Sequence, residues 1–196
     1  MILTKNEKRV LRFLAASVGK TQSMNEIGKG CGVTSGGAFK ILTKLEKEGV
    51  VQATPIANLK AYKLDFDGEN TESVLHIAFV PEKLEGRLKL RAQDLRPLKD
   101  CTKICAIFGS YTTTNPNPND LDIMLVLEKK DFSAYKHALK KAKDIIPIKI
   151  QDIVQTTEDL EENLRKGDPV ISEIVSSGIV LWGFDALVQV IKNASR

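Results

Sequence analysis

The segment Phe108-Gly109-Ser110, followed by residues 111–119 and then by Asp120-Leu121-Asp122, decides the fold predicted for the second half of the chain. The two aspartates open an apolar run, which is typical of a buried strand. Because side chains alternate across a strand, both carboxylates are predicted on one face and Leu121 on the other. Two neighbouring carboxylates repel each other unless a cation lies between them, so the pair predicts a metal site.

A second apolar run, residues 103–108, ends at the Gly-Ser pair. A turn of this composition can offer backbone N–H groups and the Ser110 hydroxyl to phosphate oxygens, because glycine allows a close approach. A phosphate-binding turn next to two carboxylates supplies the parts that metal-assisted phosphoryl or nucleotidyl transfer requires.

These residues resemble the signature of the nucleotidyltransferase superfamily, and in particular of its minimal nucleotidyltransferases. That signature is an apolar strand, Gly-Ser, a spacer of this length and Asp-x-Asp in the next strand, and Gly109, Ser110, Asp120 and Asp122 match it. The resemblance covers residues 85–196 and implies a nucleotidyltransferase fold there. It also implies one or two Mg²⁺ ions held by Asp120, Asp122 and a third carboxylate, with a nucleoside triphosphate, expected to be ATP, as substrate.

The third carboxylate is the part of this pattern that the residues leave open. Ile146, Ile148 and Ile150 occupy even positions, so an unbroken strand places Asp152 on their apolar face and Gln151 on the polar face. Glutamine can coordinate a cation through its carbonyl oxygen but cannot act as a base. A bulge near Gln151 would return Asp152 to the site. The chemistry favours Asp152, which is expected to be the third catalytic residue and metal ligand.

The spacer departs from the family pattern. Thr114 and Asn119 stand where many members have glycine and serine, and Pro116 and Pro118 stiffen the segment between them. Two roles of the Tyr111 side chain are equally compatible with the sequence. Its ring can stack on a nucleotide base, or it can pack as an anchor of the loop.

The first third of the chain predicts three helices followed by a hairpin. Thr4 and Glu7 fit a capping box for the first helix, and Thr34 is a suitable N-cap for the third. Residues 50–53 and 59–64 read as two strands joined by a turn. This order resembles a winged helix-turn-helix domain, in which the third helix enters the major groove and the hairpin touches the backbone.

The resemblance implies a nucleic-acid-binding face on the third helix, with one further lysine on the hairpin: Ser35, Gly36, Gly37, Lys40, Lys44 and Lys60. Charge supports it, because residues 1–66 carry 11 Lys and Arg against 5 Asp and Glu, whereas the rest carries 18 against 20. DNA or RNA is the expected partner. Docking to a protein partner or a second copy stays open, because lysine-rich helix faces are often only solvated.

The predicted fold class is therefore α/β of the α+β type. It has a winged helix-turn-helix domain over residues 1–66, a linker and helix over 67–84, and a nucleotidyltransferase-fold domain with a small mixed sheet over 85–196. No run of about 18 apolar residues occurs, and charges occupy the amino terminus where a signal peptide needs an apolar core. Three sparse cysteines fit a reducing compartment. A cytoplasmic protein without a membrane partner is expected.

Two functions follow from the residues and the resemblance. The first is an Mg²⁺-dependent enzyme that transfers a nucleoside monophosphate from a nucleoside triphosphate to a hydroxyl acceptor. The alternative is a non-catalytic DNA-binding regulator or antitoxin-like module, whose nucleotidyltransferase fold senses nucleotides or docks a partner.

Overall fold

The computed structural model describes residues 2–56, 59–113, 115 and 117–196 as a mixed α/β chain, which confirms the predicted fold class at this level. The elements follow in the order α1 Lys5–Ala16, β1 Gln22–Ser23, α2 Met24–Cys31, α3 Ser35–Lys47, β2 Val51–Ile56, β3 Leu59–Leu64, α4 Thr71–Phe79, α5 Gly86–Asp94, β4 Ile104–Phe108, β5 Asp120–Val126, α6 Phe132–Ile145, β6 Lys149–Gln155, α7 Thr157–Lys166, α8 Pro169–Ser177, β7 Ile179–Trp182 and α9 Phe184–Ala194. Thr114 and Pro116 of the predicted spacer lie outside the described residues. In the described part of the chain, none of the helices has the length and apolar character needed to cross a bilayer.

The chain divides into two compact units, and neither is a single stretch of sequence. The first comprises Met1–Phe79, Glu161–Ser177 and Val188–Arg196, and the second comprises Val80–Leu160 and Gly178–Leu187. Residues 161–177 and 188–196, which the sequence groups with the C-terminal domain, fall in the first unit. Helix α8 packs on α1, where Arg12 Nε donates a hydrogen bond to the Val175 carbonyl at 3.1 Å. In α9, Gln189 and Lys192 donate hydrogen bonds to the Glu72 carboxylate of α4.

The first unit begins with the elements that the sequence predicted. Thr4 and Glu7 form the capping box of α1, and Thr34 caps α3 by accepting a hydrogen bond from Gly37 N at 3.2 Å. The predicted hairpin is present as β2 and β3, which pair antiparallel. The short strand β1 extends this sheet on the other side of β3 and was not predicted.

The sheet of the second unit has the strand order β6-β5-β4-β7. β5 pairs parallel with β6 and antiparallel with β4, and β4 pairs antiparallel with β7. One face of this sheet packs against α6, with Leu121, Ile123 and Leu125 of β5 meeting Tyr135 and Leu139 of the helix in one buried cluster. A parallel β5–β6 pair requires a crossover, and α6 supplies it.

Helix α5 covers Gly86–Asp94 and is followed by a 3₁₀ turn, Arg96–Cys101. Pro97 accounts for the change at the carboxyl end, because proline has no N–H to continue the α-helical bonding. At the other end, Gly86 has φ +52°, a left-handed value that few residues tolerate.

Candidate functional site

Strand β5 places Asp120 and Asp122 together, as the alternation in the sequence predicted. Both aspartates are half-buried, whereas Leu121 and Ile123 between and after them are fully buried on the α6 side. The carboxylates therefore share the sheet face opposite α6, at the start of the strand. Their position depends on the burial of the alternate apolar residues, because a register slip by one residue would expose those side chains.

The Gly109 turn lies directly against the second of these carboxylates. Phe108, the last residue of β4, pairs with Asp122 across the sheet. Gly109 follows with φ +67°, and a Cβ atom at this position would collide with Asp122 Oδ2. The left-handed backbone favours glycine at this position, and any Cβ here would also force the Asp122 carboxylate to shift.

Ser110 lies in the tight 3₁₀ turn Gly109–Thr112, which threonine hydroxyls hold closed. Thr112 Oγ1 donates a hydrogen bond to the Gly109 carbonyl at 2.9 Å, and Thr113 Oγ1 donates one to the Ser110 carbonyl at 2.8 Å. Ser110 is half-buried, and its hydroxyl makes no hydrogen bond to any described residue. The hydroxyl is therefore available to a ligand that contacts this turn.

Gln151, and not Asp152, accompanies the aspartate pair. The β5–β6 register is continuous and pairs Asp122 with Gln151 and Ile123 with Asp152, so no bulge rotates Asp152 towards the site. Gln151 Nε2 donates a hydrogen bond to Asp120 Oδ2. The expectation that Asp152 is the third carboxylate of this site is corrected accordingly.

Asp152 has partners of its own on the α6 side of the sheet. Its Oδ2 accepts a hydrogen bond from the Tyr135 hydroxyl, and its Oδ1 lies 3.8 Å from Lys143 Nζ. Burial, and then the bond to Asp152, raise the pKa of Tyr135, which keeps this phenol a proton donor at neutral pH. Across the described residues there is no group of three or more His, Cys, Asp or Glu side chains able to hold a metal ion.

Tyr111 anchors the spacer. Its side chain is only 5% exposed and belongs to the buried cluster under α6, so its ring is not presented to a nucleotide base. Arg87 lies over the ring, with Cζ 5.0 Å from the ring centroid, and donates hydrogen bonds to the Tyr111 and Thr113 carbonyls at 3.2 and 2.7 Å. It also donates to the Asn115 carbonyl.

Arg87 therefore fixes the loop that precedes the aspartates, a role that the sequence did not reveal. The residues that it holds follow it by 24 to 28 positions in the chain, and no local pattern signals a contact over that distance.

The oxygen donors of this site fit a hard cation such as Mg²⁺. Asp120 and Asp122 supply carboxylate oxygens on one face, and rotation of the Gln151 amide would turn its carbonyl oxygen towards the same place. Comparisons with family models, curated proteins and solved structures found no match. The interpretation of the site therefore depends on these side chains alone.

The residues predicted to contact nucleic acid divide into two groups. Ser35, Gly36 and Lys40 are exposed on α3. Lys44 instead forms an ion pair with the buried Glu7, with Nζ 2.8 Å from Oε1, and Lys60 lies 3.4 Å from a carboxylate oxygen of Glu46. Gly37 uses its N–H in the α3 cap, so it does not offer that group to a phosphate.

Large apolar side chains are exposed on α3 and on the β2–β3 hairpin of this first unit, and the sequence did not single them out. Phe39 lies on the outer side of α3 and is 57% exposed, and Ile56 and Leu59 are exposed at the ends of β2 and β3. The helical spacing of Gly36, Phe39 and Lys40 was the available signal, since residues three and four apart share one helix face.

The Glu7–Lys44 pair gives a pH-dependent prediction for stability. Burial raises the pKa of Glu7, but hydrogen bonds from Lys44 and Thr4 outweigh it, so the pKa lies below its ordinary value of 4.5. A lowered folded-state pKa means that ionised Glu7 stabilises the fold above the unfolded-state pKa, and that this stability is lost as the pH falls through the folded-state pKa. We expect Glu7→Gln to lower the free energy of unfolding at pH 7 by about 1–3 kcal/mol, with a smaller difference at pH 3.

Urea unfolding at the two pH values, followed by circular dichroism, measures this difference. Glu46→Gln is the matched control, because it removes the exposed partner of Lys60 and should cost less than about 1 kcal/mol. Equal losses for Glu7→Gln at pH 7 and pH 3 would contradict the prediction.

Proposed function

We propose that the second unit binds a nucleoside triphosphate together with Mg²⁺ in a nucleotidyltransferase-type site, as a nucleotide-binding regulator without a side-chain base. Asp120 and Asp122 would hold the cation, and the Gly109-Ser110 turn would contact the phosphates. The observation that carries this choice over catalysis is the Gln151–Asp120 hydrogen bond, because an amide stands where the resemblance implies a third carboxylate.

The chemistry of the described residues fits binding of this kind. The two carboxylates repel each other across one strand face, and a divalent cation that neutralises phosphate charge would remove that repulsion. The Ser110 hydroxyl can donate to a phosphate oxygen. Asp152, the nearest candidate for a general base, is turned to the other sheet face and engaged by Tyr135.

The same proposal assigns nucleic-acid binding to a winged-helix arrangement in the first unit. Three observations support it, namely the positive charge of residues 1–66, the exposure of Ser35, Gly36 and Lys40 on α3, and the β2–β3 hairpin. The ion pairs of Lys44 and Lys60 reduce the number of free cations on this surface. We therefore expect affinity that is modest and depends on salt.

Nucleotidyl transfer is the second candidate, favoured by the close packing of the Gly109 turn on Asp122. In that reaction an acceptor hydroxyl attacks the α-phosphate and forms a new P–O bond, while the bond to the departing pyrophosphate breaks. The hydroxyl proton would pass to solvent or to the leaving group, since no described carboxylate other than Asp120 and Asp122 shares the site.

Isothermal titration of the full chain with ATP, with Mg²⁺ and then with EDTA, tests the proposed site. We expect binding that requires Mg²⁺. No binding in the presence of Mg²⁺, or the same affinity in EDTA as in Mg²⁺, would contradict the proposal. Pyrophosphate release across a panel of hydroxyl acceptors separates the two candidates. Release at background level supports the regulator, whereas release that disappears in Asp122→Asn supports transfer.

A further inference from the structure

A groove lies between α6 and β6, on the sheet face opposite the Asp120–Asp122 pair. One cavity of about 470 Å³ has lysines of α6 on one side and Asp152 and Val154 of β6 on the other. A second cavity of about 350 Å³ shares Phe132 and Val154 with the first and extends to Gln155. These two adjoining cavities are here called the α6–β6 groove.

The strand that borders this groove lies at the edge of its sheet. In the described part of the chain β6 pairs with β5 and with no other strand. An edge strand presents backbone N–H and C=O groups that another strand can satisfy. A slot between an edge strand and a helix is a surface to which extended peptides bind by adding a strand, with main-chain hydrogen bonds giving affinity and side-chain contacts giving specificity.

The charges that line the groove indicate which side chains a bound peptide strand would carry. Lys136, Lys140 and Lys143 of α6 are all exposed and line it. The acid on this stretch, Asp152, is already bonded to Tyr135 and lies close to Lys143. At the far end Lys129 and Asp159 have opposite signs, so the net charge of the groove is positive.

A second copy of the chain is a poor occupant for the same reason. Two β6 strands paired with each other would bring two sets of α6 lysines together, and like charges facing each other across an interface are unfavourable. A segment with acidic side chains would instead be attracted to the α6 lysines. Phe132, which is 44% exposed, and Leu139 offer the apolar contact that such a segment also needs.

The spacing of the lysines matches a strand. Residues four apart on a helix are about 6 Å apart along its axis, which separates Lys136 from Lys140. Residues two apart on a strand are about 6.6 Å apart and point to the same side. Acidic residues at alternate positions of a segment that runs alongside α6 would therefore meet successive lysines.

We propose that the α6–β6 groove binds an extended acidic segment of a partner protein, which adds to β6 as a further strand and pairs its acidic side chains with the lysines of α6. This interaction is separate from the nucleotide site, because the groove and the aspartate pair lie on opposite faces of one sheet.

A phage-displayed library of random eight-residue peptides, selected on the full chain, tests the proposal. We expect selected peptides to carry acidic residues at alternate positions. Their synthetic versions should bind at least 10-fold more weakly to Lys140→Glu, measured by fluorescence anisotropy. Lys141→Glu is the matched control, since Lys141 is exposed on the same helix, next to Lys140, but does not line the groove. Circular dichroism melts of both variants check that the fold is retained.

Two further arms distinguish strand addition from simple ionic attraction. A selected peptide with alternate backbone nitrogens methylated should lose at least 10-fold in affinity, because it cannot donate to β6. Equal binding by the methylated peptide, equal binding to both lysine variants, or selection of peptides without acids would each overturn the proposal. So would an oligothymidylate that displaces the peptides at lower concentration, or a dimer of the chain that Lys140→Glu disrupts.

Discussion

Replacing Asp120 and Asp122 together with asparagine is expected to weaken Mg²⁺-dependent ATP binding by at least 100-fold, which corresponds to about 2.7 kcal/mol. The proposed site offers a cation these two carboxylates and the amide of Gln151, and among the described residues no third acid joins them. Loss of both charges leaves amide oxygens only, which bind Mg²⁺ poorly. The measurement is calorimetric titration of ATP in the presence of Mg²⁺.

The matched control is Asp144→Asn, which removes a carboxylate that is exposed on α6, away from the site. It should bind as the wild type does. A shift in melting temperature gives an independent readout, because a ligand that binds only the folded state stabilises it. The shift that Mg²⁺ and ATP produce in the wild type should disappear in the double variant. If the double variant retained both the affinity and the shift, Asp120 and Asp122 would not be part of the nucleotide site.

The parts of this site that the sequence predicted correctly are those set by local geometry. Alternation along β5 is a property of any strand, and the buried Leu121 and Ile123 leave Asp120 and Asp122 only the other face. The caps of α1 and α3 were also predictable, because Thr4 with Glu7 and Thr34 bond backbone groups only three residues away.

The error over Asp152 has a different origin. The isoleucines before it already placed Asp152 on the apolar face, and the preference for a carboxylate required a bulge that β6 does not contain. The Tyr135 hydroxyl stabilises Asp152 on the apolar side of the sheet, because it donates a hydrogen bond to this half-buried carboxylate. A tyrosine 17 residues earlier in the chain carries no signal of that pairing.

The compact units were unpredictable for a related reason. The packing of α8 on α1 joins residues 163 positions apart, as the Arg12–Val175 hydrogen bond shows, and residues 161–177 have no composition that separates them from their neighbours. Contacts over such distances depend on which apolar faces meet. A helix pattern specifies that a face is apolar but not which partner covers it.

Replacing Gly109 with alanine is expected to damage the site and the stability of the second unit at once. An alanine at φ +67° carries a backbone strain of about 1–2 kcal/mol. Its Cβ would also collide with Asp122 Oδ2, so either the turn or the carboxylate must move. We expect a total loss of about 2–4 kcal/mol in the free energy of unfolding and at least 10-fold weaker Mg²⁺-dependent ATP binding.

Gly86→Ala separates these two causes. Gly86 also has a left-handed backbone, with φ +52°, but no atom lies within 4 Å of the position that a Cβ would occupy. This variant should show the strain alone, with ATP affinity unchanged. The excess cost of Gly109→Ala over Gly86→Ala, from urea unfolding of both, then measures the collision with Asp122.

A double-mutant cycle that combines Gly109→Ala with Asp122→Gly tests whether the collision causes the loss of stability. If the collision is the cause, Gly109→Ala should cost less in an Asp122→Gly background than in the wild type, because the opposing carboxylate is gone. The difference between the two costs is the coupling energy of the pair, and residues in contact typically couple by about 0.5–3 kcal/mol. A coupling energy of zero would mean that the Gly109 turn and the Asp122 carboxylate do not affect each other. The proposal that they form one site for phosphate and cation would then lack support.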